Sequence, residues 1–435
     1  MTALSIAIAL SLAAPPERED FRLENGIRAT VIRIDGAPRE ALFTLLPLGL
    51  ALDDARRAQH SHLLEHLVIR TTDPEGLSAP GLLFNGETQG TTLRLETLAE
   101  PARWREALAR HERWLAARSF DAAILEREKT SALSEVETTV PRGFTHKWAL
   151  AAWGQVARHG EAHAAVRGDV LRATVGDMEA YAKRHVGPGP GVRFVAVGPV
   201  AAGEIRAALE SGIGKIAALP ALEKTSPSGG ARATAAGDRT ATWDLAARHY
   251  LEWYQLPDGG PEDRVAALLF ATAIGMDPAI ASAAKERGGV AFASADLVTP
   301  EGRHLAVSSS LAKDADPSRL RAAVRAAIGS ILDPLPGLPD VETRLRMLRT
   351  EFSGFPDFDA LRKARGSAPG AEFLEANLVL GLVAVEESTG LQGAEIERAL
   401  ERLTPERVAA IAKSALAESE RRSLVLEPSP SGTGR

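Results

Sequence analysis

The hydrophobic pattern of this chain breaks once, near its middle. Residues 219–238 read LPALEKTSPSGGARATAAGD, rich in Gly, Ala, Ser, Thr and Pro and without a helical or strand period. A stretch of that composition has too little apolar surface to join a core, so it reads as a linker. The chain has 435 residues, more than one ordinary core accommodates. The break therefore predicts two globular halves, 17–218 and 239–435, behind a separate leader at 1–16.

The two halves look like distant copies. Residues 174–183 (TVGDMEAYAK) precede an apolar strand at 192–197, and residues 404–413 (TPERVAAIAK) precede one at 423–426. Near the start of each half an apolar strand ends in Leu-Pro and leads to an acidic helix opening. These are Leu46-Pro47 with Asp53 and Asp54, and Leu256-Pro257 with Glu262 and Asp263. Strands and helices mix without strict alternation. The expected fold is α+β, each half a mainly antiparallel sheet with helices packed on one face.

Within the first half, Asn25-Gly26 between two apolar-alternating runs predicts a hairpin over 21–34. A strand is expected over 41–50, then a helix opened by Asp53 and Asp54 and containing Leu63, Leu64 and Leu67. Residues 86–98 alternate as one strand, 101–117 and 121–138 read as helices, and 193–200 as a buried strand. Thr174 is the expected N-cap of a helix to His185, with Asp177 at the capping-box position.

Composition narrows the chemistry. Apolar residues at 45 % and charged residues at 25 % are ordinary for a globular protein. The net charge of −6 is spread over interspersed acidic and basic residues, which argues against a nucleic-acid partner. Without cysteine there are no disulfides and no thiolate ligands, so a metal must be held by His, Asp or Glu. Residues 1–14 (MTALSIAIALSLAA) are too short to span a bilayer but match a signal-peptide core ending in small residues. That favours a periplasmic or secreted protein over a cytoplasmic one, although no Lys or Arg precedes the run. No later segment is apolar and long enough for a membrane span.

The chemistry concentrates at His62-Leu63-Leu64-Glu65-His66. Residues i and i+4 share a helix face, so both imidazoles reach one ion. Glu65 lies on the same side and is placed to take a proton from a zinc-activated water, as hydrolysis requires. Leu63, Leu64 and Leu67 point the other way. A catalytic zinc wants a third protein ligand and one open position. Glu128 and Glu135, seven residues apart on a helix, share one face; one can ligate while the other orients a histidine.

These residues carry a family resemblance. HSHLLEHLVIRTT at 60–72 resembles the inverted HxxEH motif of the insulinase/pitrilysin zinc metalloproteases (peptidase M16), and the chain looks most like bacterial relatives of the mitochondrial processing peptidases. EREKTSALSEVE at 126–137 resembles that family's second motif, whose last Glu is the third zinc ligand. The resemblance implies that His62, His66 and Glu135 bind Zn2+, that Glu65 is the catalytic base, and that Glu128 supports a ligand. FNGETQGTTLRLETL at 84–98 resembles the edge strand on which peptide substrates pair, with Asn85 and Gly86 contacting substrate. AAKERGGVAFAS at 283–294 is similar to the family's second domain.

Three departures from the family pattern bear on function. The spacing from His66 to Glu135 is shorter than usual, with the deficit assigned to a loop at 71–83. His60 precedes the motif, either as an extra substrate-side group or as an exposed residue of the helix start. In the second half the family's Arg and Tyr, seven residues apart, are replaced by Lys285 and Phe292. Phe donates no hydrogen bond to an oxyanion, and Lys lacks the guanidinium fork. The expected function is a zinc-dependent endopeptidase acting on unfolded peptides. The complete zinc set beside a damaged pair implies a heterodimer in which another subunit supplies the Arg and Tyr, with a homodimer as the alternative. Two other readings are a non-catalytic structural or binding subunit and a metal hydrolase of non-peptide substrates.

Overall fold

The hairpin signalled by Asn25-Gly26 forms as β1 (Glu17–Arg22) and β2 (Arg28–Arg33), antiparallel, with Arg22 opposite Arg28. Gly26 takes φ of 90°, a backbone conformation that costs glycine little. In this computed structural model the described residues are 17–54, 56–74, 76–139, 163–219, 237–246, 248–256, 259–275, 291–299, 302–311, 316–332, 376, 379, 383, 385–386, 389–416 and 421–429. The leader and nearly all of the expected linker lie outside them.

The chain continues through β3 (Glu40–Leu46), α1 (His60–Thr72), β4 (Ser78–Ala79), β5 (Leu82–Thr88) and β6 (Leu93–Ala99). It then runs through α2 (Trp104–Ala116), α3 (Ala122–Thr139), β7 (His163–Ala164), α4 (Val166–Arg172), α5 (Val175–His185), β8 (Arg193–Gly198) and α6 (Ala202–Ser211). Strands β1-β2-β8-β3-β6-β5-β4 form the first sheet in that order. The second half contributes β9 (Gly237–Trp243), β10 (Arg248–Leu256), α7 (Pro261–Gly275), β11 (Ala291–Thr299), β12 (Gly302–Leu311) and α8 (Pro317–Leu332). α9 (Gly393–Arg402), α10 (Pro405–Ala415) and β13 (Arg421–Pro428) follow. Its sheet has the order β11-β12-β10-β13-β9-β7.

The resemblance between halves is a topological repeat. β2-β8-β3-β6-β5 and β9-β13-β10-β12-β11 run in the same spatial order. In both, the first pair is parallel and the others antiparallel. Thr174 and Thr404 cap corresponding helices, each accepting a hydrogen bond from the backbone N–H three residues on. At Thr174 the expected capping box with Asp177 is complete.

One face of the first sheet packs against α1, α2, α5 and α6 through residues such as Leu42, Leu95, Leu108, Met178 and Phe194. The corresponding face of the second sheet packs on α7 to α10. The opposite faces are covered by exchange between the halves. Helical residues Ala376, Val379 and Val383 of the second half close over Ile32, Phe43 and Val195 of the first sheet. Leu50, Val136, Ala164 and Val166 of the first half close over Trp243, Leu251 and Trp253 of the second. The short β7 also leaves the first half and pairs in parallel with β9.

Two expectations change. Residues 86–98 are a hairpin, β5 and β6, turning at Gln89–Thr92, where Gln89 N–H donates to the Thr92 carbonyl at 2.8 Å. Alternation on both sides of Gly90 hid the turn. The helix of His62 and His66 starts at His60, after an irregular turn, and Asp53 caps it from a distance. The Asp53 carboxylate accepts from Ser61 N–H and Ser61 Oγ, both at 3.1 Å, and from the Tyr181 hydroxyl at 2.8 Å.

Candidate metal centre

Helix α1 is buried almost all round. Leu63, Leu64 and Leu67 enter the core as expected, and His60, His62 and Glu65 are buried as well. A polar helix face is buried at low cost only when its groups are partnered. For His62 and His66 those partners come from α3, which crosses beside α1. For Glu65 the partner comes from β5.

His62 Nε2 lies 3.2 Å from His66 Nε2 and 3.2 Å from Glu135 Oε2, and His66 Nε2 lies 3.5 Å from the same carboxylate oxygen. An ion in tetrahedral coordination with bonds of about 2.0–2.1 Å holds its ligand atoms roughly 3.3 Å apart. The triangle thus has the size of one face of that tetrahedron. Two imidazoles and a carboxylate are also the donor types that zinc accepts, with the fourth direction left for a non-protein ligand. Among the described residues, His62, His66 and Glu135 are the group of possible metal ligands that converges.

Glu128 stands one step behind. Its Oε2 is 3.0 Å from His66 Nδ1, which orients the ring so that Nε2 faces Glu135. Arg127 Nε donates to Glu128 Oε1 at 2.8 Å, and Arg70 Nε approaches the same oxygen at 3.8 Å. Burial opposes ionisation of Glu128, but His66 and Arg127 outweigh it and lower its pKa. Burial likewise disfavours charge on His66, yet Glu128 and Glu135 raise its pKa to about 9. Hydrogen bonds from His62 and His66 hold the Glu135 carboxyl well below its ordinary range. The concentration of carboxylate charge that stabilises His66 as a cation would equally attract a divalent ion.

Glu65 is not part of the triangle. It is buried, and Thr88 Oγ1 donates to its Oε2 at 2.5 Å. Gly86, two residues earlier on β5, leaves the space its side chain occupies: a Cβ there would lie 2.6 Å from Glu65 Cγ and 2.8 Å from Ile69 Cδ1. The alternation of Phe84, Gly86 and Thr88 toward α1 is the signal by which Thr88 could have been found. Arg70, Arg127 and Tyr181 were also missed, since their roles depend on contacts between separate elements.

β5 lies at the edge of its sheet, because β4 covers only Leu82 and Leu83. Phe84 N–H donates outward to the Leu77 carbonyl at 3.0 Å. By the two-residue period of a strand, the backbone groups of Gly86 and Thr88 face the same open edge. Among the described residues no strand pairs with that edge beyond Leu83. Asn85 is exposed on the sheet face away from Glu65, its Nδ2 3.4 Å from Glu96 Oε1.

His60 is neither exposed nor substrate-facing in the way either expectation required. It is buried edge-on against Tyr181, with ring centroids 5.9 Å apart, and burial lowers its pKa to about 4. The cause is the packing of α5 over the helix start. Lys285 lies outside the described residues. Phe292 belongs to β11, opposite Ser308 in the register with β12.

No model of a known protein family matches the chain, and no curated protein matches it. Solved structures do. A protease from Helicobacter pylori superposes with a TM-score of 0.67 at 14 % identity, over 95 % of this chain and 100 % of that one. A peptidase M16 inactive domain from Pseudomonas fluorescens gives 0.62 at 16 % identity, over 95 % and 98 %. The periplasmic protease PqqL from Escherichia coli gives 0.58 at 15 % identity, over 97 % of this chain and 46 % of that one. Likeness at this level of identity establishes the fold: the chain shares the α+β architecture of proteins that include proteases and an inactive M16 peptidase domain.

Proposed function

We propose that this chain is a zinc-dependent endopeptidase of the insulinase/pitrilysin type that hydrolyses unfolded peptides. The observation that carries the reading is the triangle of His62, His66 and Glu135 donor atoms at tetrahedral spacing. His62, His66 and Glu135 would hold a zinc ion, which would supply Lewis-acid activation there. Glu65, held by Thr88, accepts the proton of the attacking water. Glu128 holds the His66 ring. An extended peptide adds as a strand along β5, with its main chain on the outward groups of Gly86 and Thr88 and alongside Asn85. That docking brings a peptide bond beside Glu65, since Gly86 lies against that side chain.

The domain limits we assign are 17–218 and 239–435. We further propose that the working enzyme is a heterodimer, because Lys285 and Phe292 stand where the family's Arg and Tyr would serve. Only 46 % of PqqL is matched by this chain, which leaves that protein room for a second unit of similar size. A homodimer using Lys285 for charge is the alternative. The periplasmic setting of PqqL and the leader at 1–16 support a periplasmic location. Among the described residues no helix is long and apolar enough to cross a membrane. A second reading, a non-catalytic subunit, draws on the likeness to the inactive domain.

Glu65→Gln separates the two. The variant is expected to retain the zinc content of the wild type and lose nearly all peptide hydrolysis, since an amide cannot accept the proton. Hydrolysis above about a tenth of the wild-type rate would exclude Glu65 as the base. A wild-type chain purified without metal, and unable to take it up, would favour the non-catalytic reading.

A further inference from the structure

The helices that carry the ligands are held from the second half as well as the first. Val136, next to Glu135, is fully buried in an apolar cluster with Trp243, Leu251 and Trp253 on the face of the second sheet turned away from α7 to α10. Leu50, on the turn that feeds α1, and Val166 of α4 share that cluster. Beside Trp243, the Asp244 carboxylate accepts from the backbone N–H groups of Val166, Arg167 and Gly168 at 2.6, 3.0 and 2.6 Å, capping α4. Asp169 of α4 in turn accepts from Ala58 N–H at 2.9 Å, two residues before α1 begins.

Two routes therefore run from one patch of the second sheet to the two ligand-bearing helices. One goes through Val136 to Glu135. The other goes through Asp244, α4 and Asp169 to the start of the helix of His62 and His66. Glu135 needs such support: its side chain is 48 % exposed, and α3 ends four residues later at Thr139. A relative shift of α1 and α3 by about 1 Å would open a triangle whose edges are 3.2–3.5 Å.

We propose that Trp243, Asp244 and Trp253 are positioning residues of the metal centre, so that the half without a metal motif sets the metal affinity of the other. This rests on the assignment of His62, His66 and Glu135 as metal ligands. The buried patch acts through Val136 and Asp169 and touches no substrate.

The test uses the full chain and measures zinc affinity by competition with a chromophoric chelator, beside thermal unfolding. Val136→Ala and Asp244→Ala are expected to weaken zinc binding roughly 10- to 100-fold while remaining folded. Asp244→Asn keeps an acceptor for Val166 and Arg167 and should recover part of the loss. Leu400→Ala, in the core on the other face of the second sheet, should lower thermal stability and leave the zinc affinity unchanged. Wild-type affinity in both Val136→Ala and Asp244→Ala would overturn the proposal, as would an equal loss in Leu400→Ala. If Val136→Ala does not fold, the Asp244→Asn and Asp244→Ala pair decides, since neither disturbs a core side chain. A wild-type chain that binds no zinc would overturn the ligand assignment itself, a result distinct from tight binding in every variant.

Discussion

Glu65 and its surroundings show how much a single side chain depends on what is missing beside it. With glycine at 86, the carboxylate fits between α1 and β5 and accepts from Thr88. Gly86→Ala is expected to push Glu65 off Thr88, leaving the zinc content intact and lowering hydrolysis by roughly 10²-fold, the scale of a 1 Å misplacement. Normal hydrolysis in that variant would show that Glu65 is not confined by the strand. Glu40 offers a test at the same scale, away from the metal. It is buried at the start of β3, and burial raises its carboxyl pKa to about 8 against the Val200 N–H that it accepts. The folded chain then holds a proton that the unfolded chain releases above about 4.5. The contribution of Glu40 to stability should therefore be full below that pH and be lost as pH rises through about 8. Glu40→Gln keeps an acceptor for Val200 and should remove this slope, which urea unfolding across that range would reveal.

At the scale of elements, the edge strand is braced from inside. Arg110 on α2 donates to Asp73 at 2.8 and 2.5 Å, and its guanidinium lies 3.9 Å from the centre of the Phe84 ring. Trp114 Nε1 donates to Thr72 Oγ1 at 2.8 Å, tying α2 to the end of α1. The arrangement keeps β5 flat against α1 while its outer edge stays open. Because both charges of the pair are nearly buried, Arg110→Ala should cost about 3 kcal/mol, largely from the Asp73 carboxylate left behind. Chemical denaturation measures that loss; a change below about 0.5 kcal/mol would mean that the pair is solvated in practice.

At the scale of the molecule, each half closes the outer face of the other's sheet. The joint carries charge as well as apolar surface: Glu386 accepts from Arg193 at 2.6 Å and from Arg18 at 3.1 Å, with Glu386 and Arg193 both buried. Glu386→Ala removes the carboxylate that neutralises Arg193 and is expected to destabilise the protein by roughly 3–5 kcal/mol. If the halves depend on each other as this exchange implies, calorimetry should show the whole transition moving to lower temperature. Loss confined to one of two separate transitions would show that they fold independently.

The motifs were legible in the sequence because their information is local. The i, i+4 spacing of His62 and His66, the shared helix face of Glu128 and Glu135, and the cap at Thr174 follow from helix geometry within a few residues. The repeat of the two halves was legible for the same reason, through short strand and helix patterns that recur. Local pattern misplaced the start of α1, because its cap, Asp53, acts across a turn of irregular backbone. It merged β5 and β6, because two strands of one hairpin alternate in the same period. It left His60 on the surface, since nothing near position 60 announces that Tyr181 will cover it. The sequence by itself determined which side chains could ligate a metal. Only the tertiary structure decided that they meet, because that requires α3 to cross α1 while Val136 is seated against Trp243, Leu251 and Trp253, more than a hundred positions away.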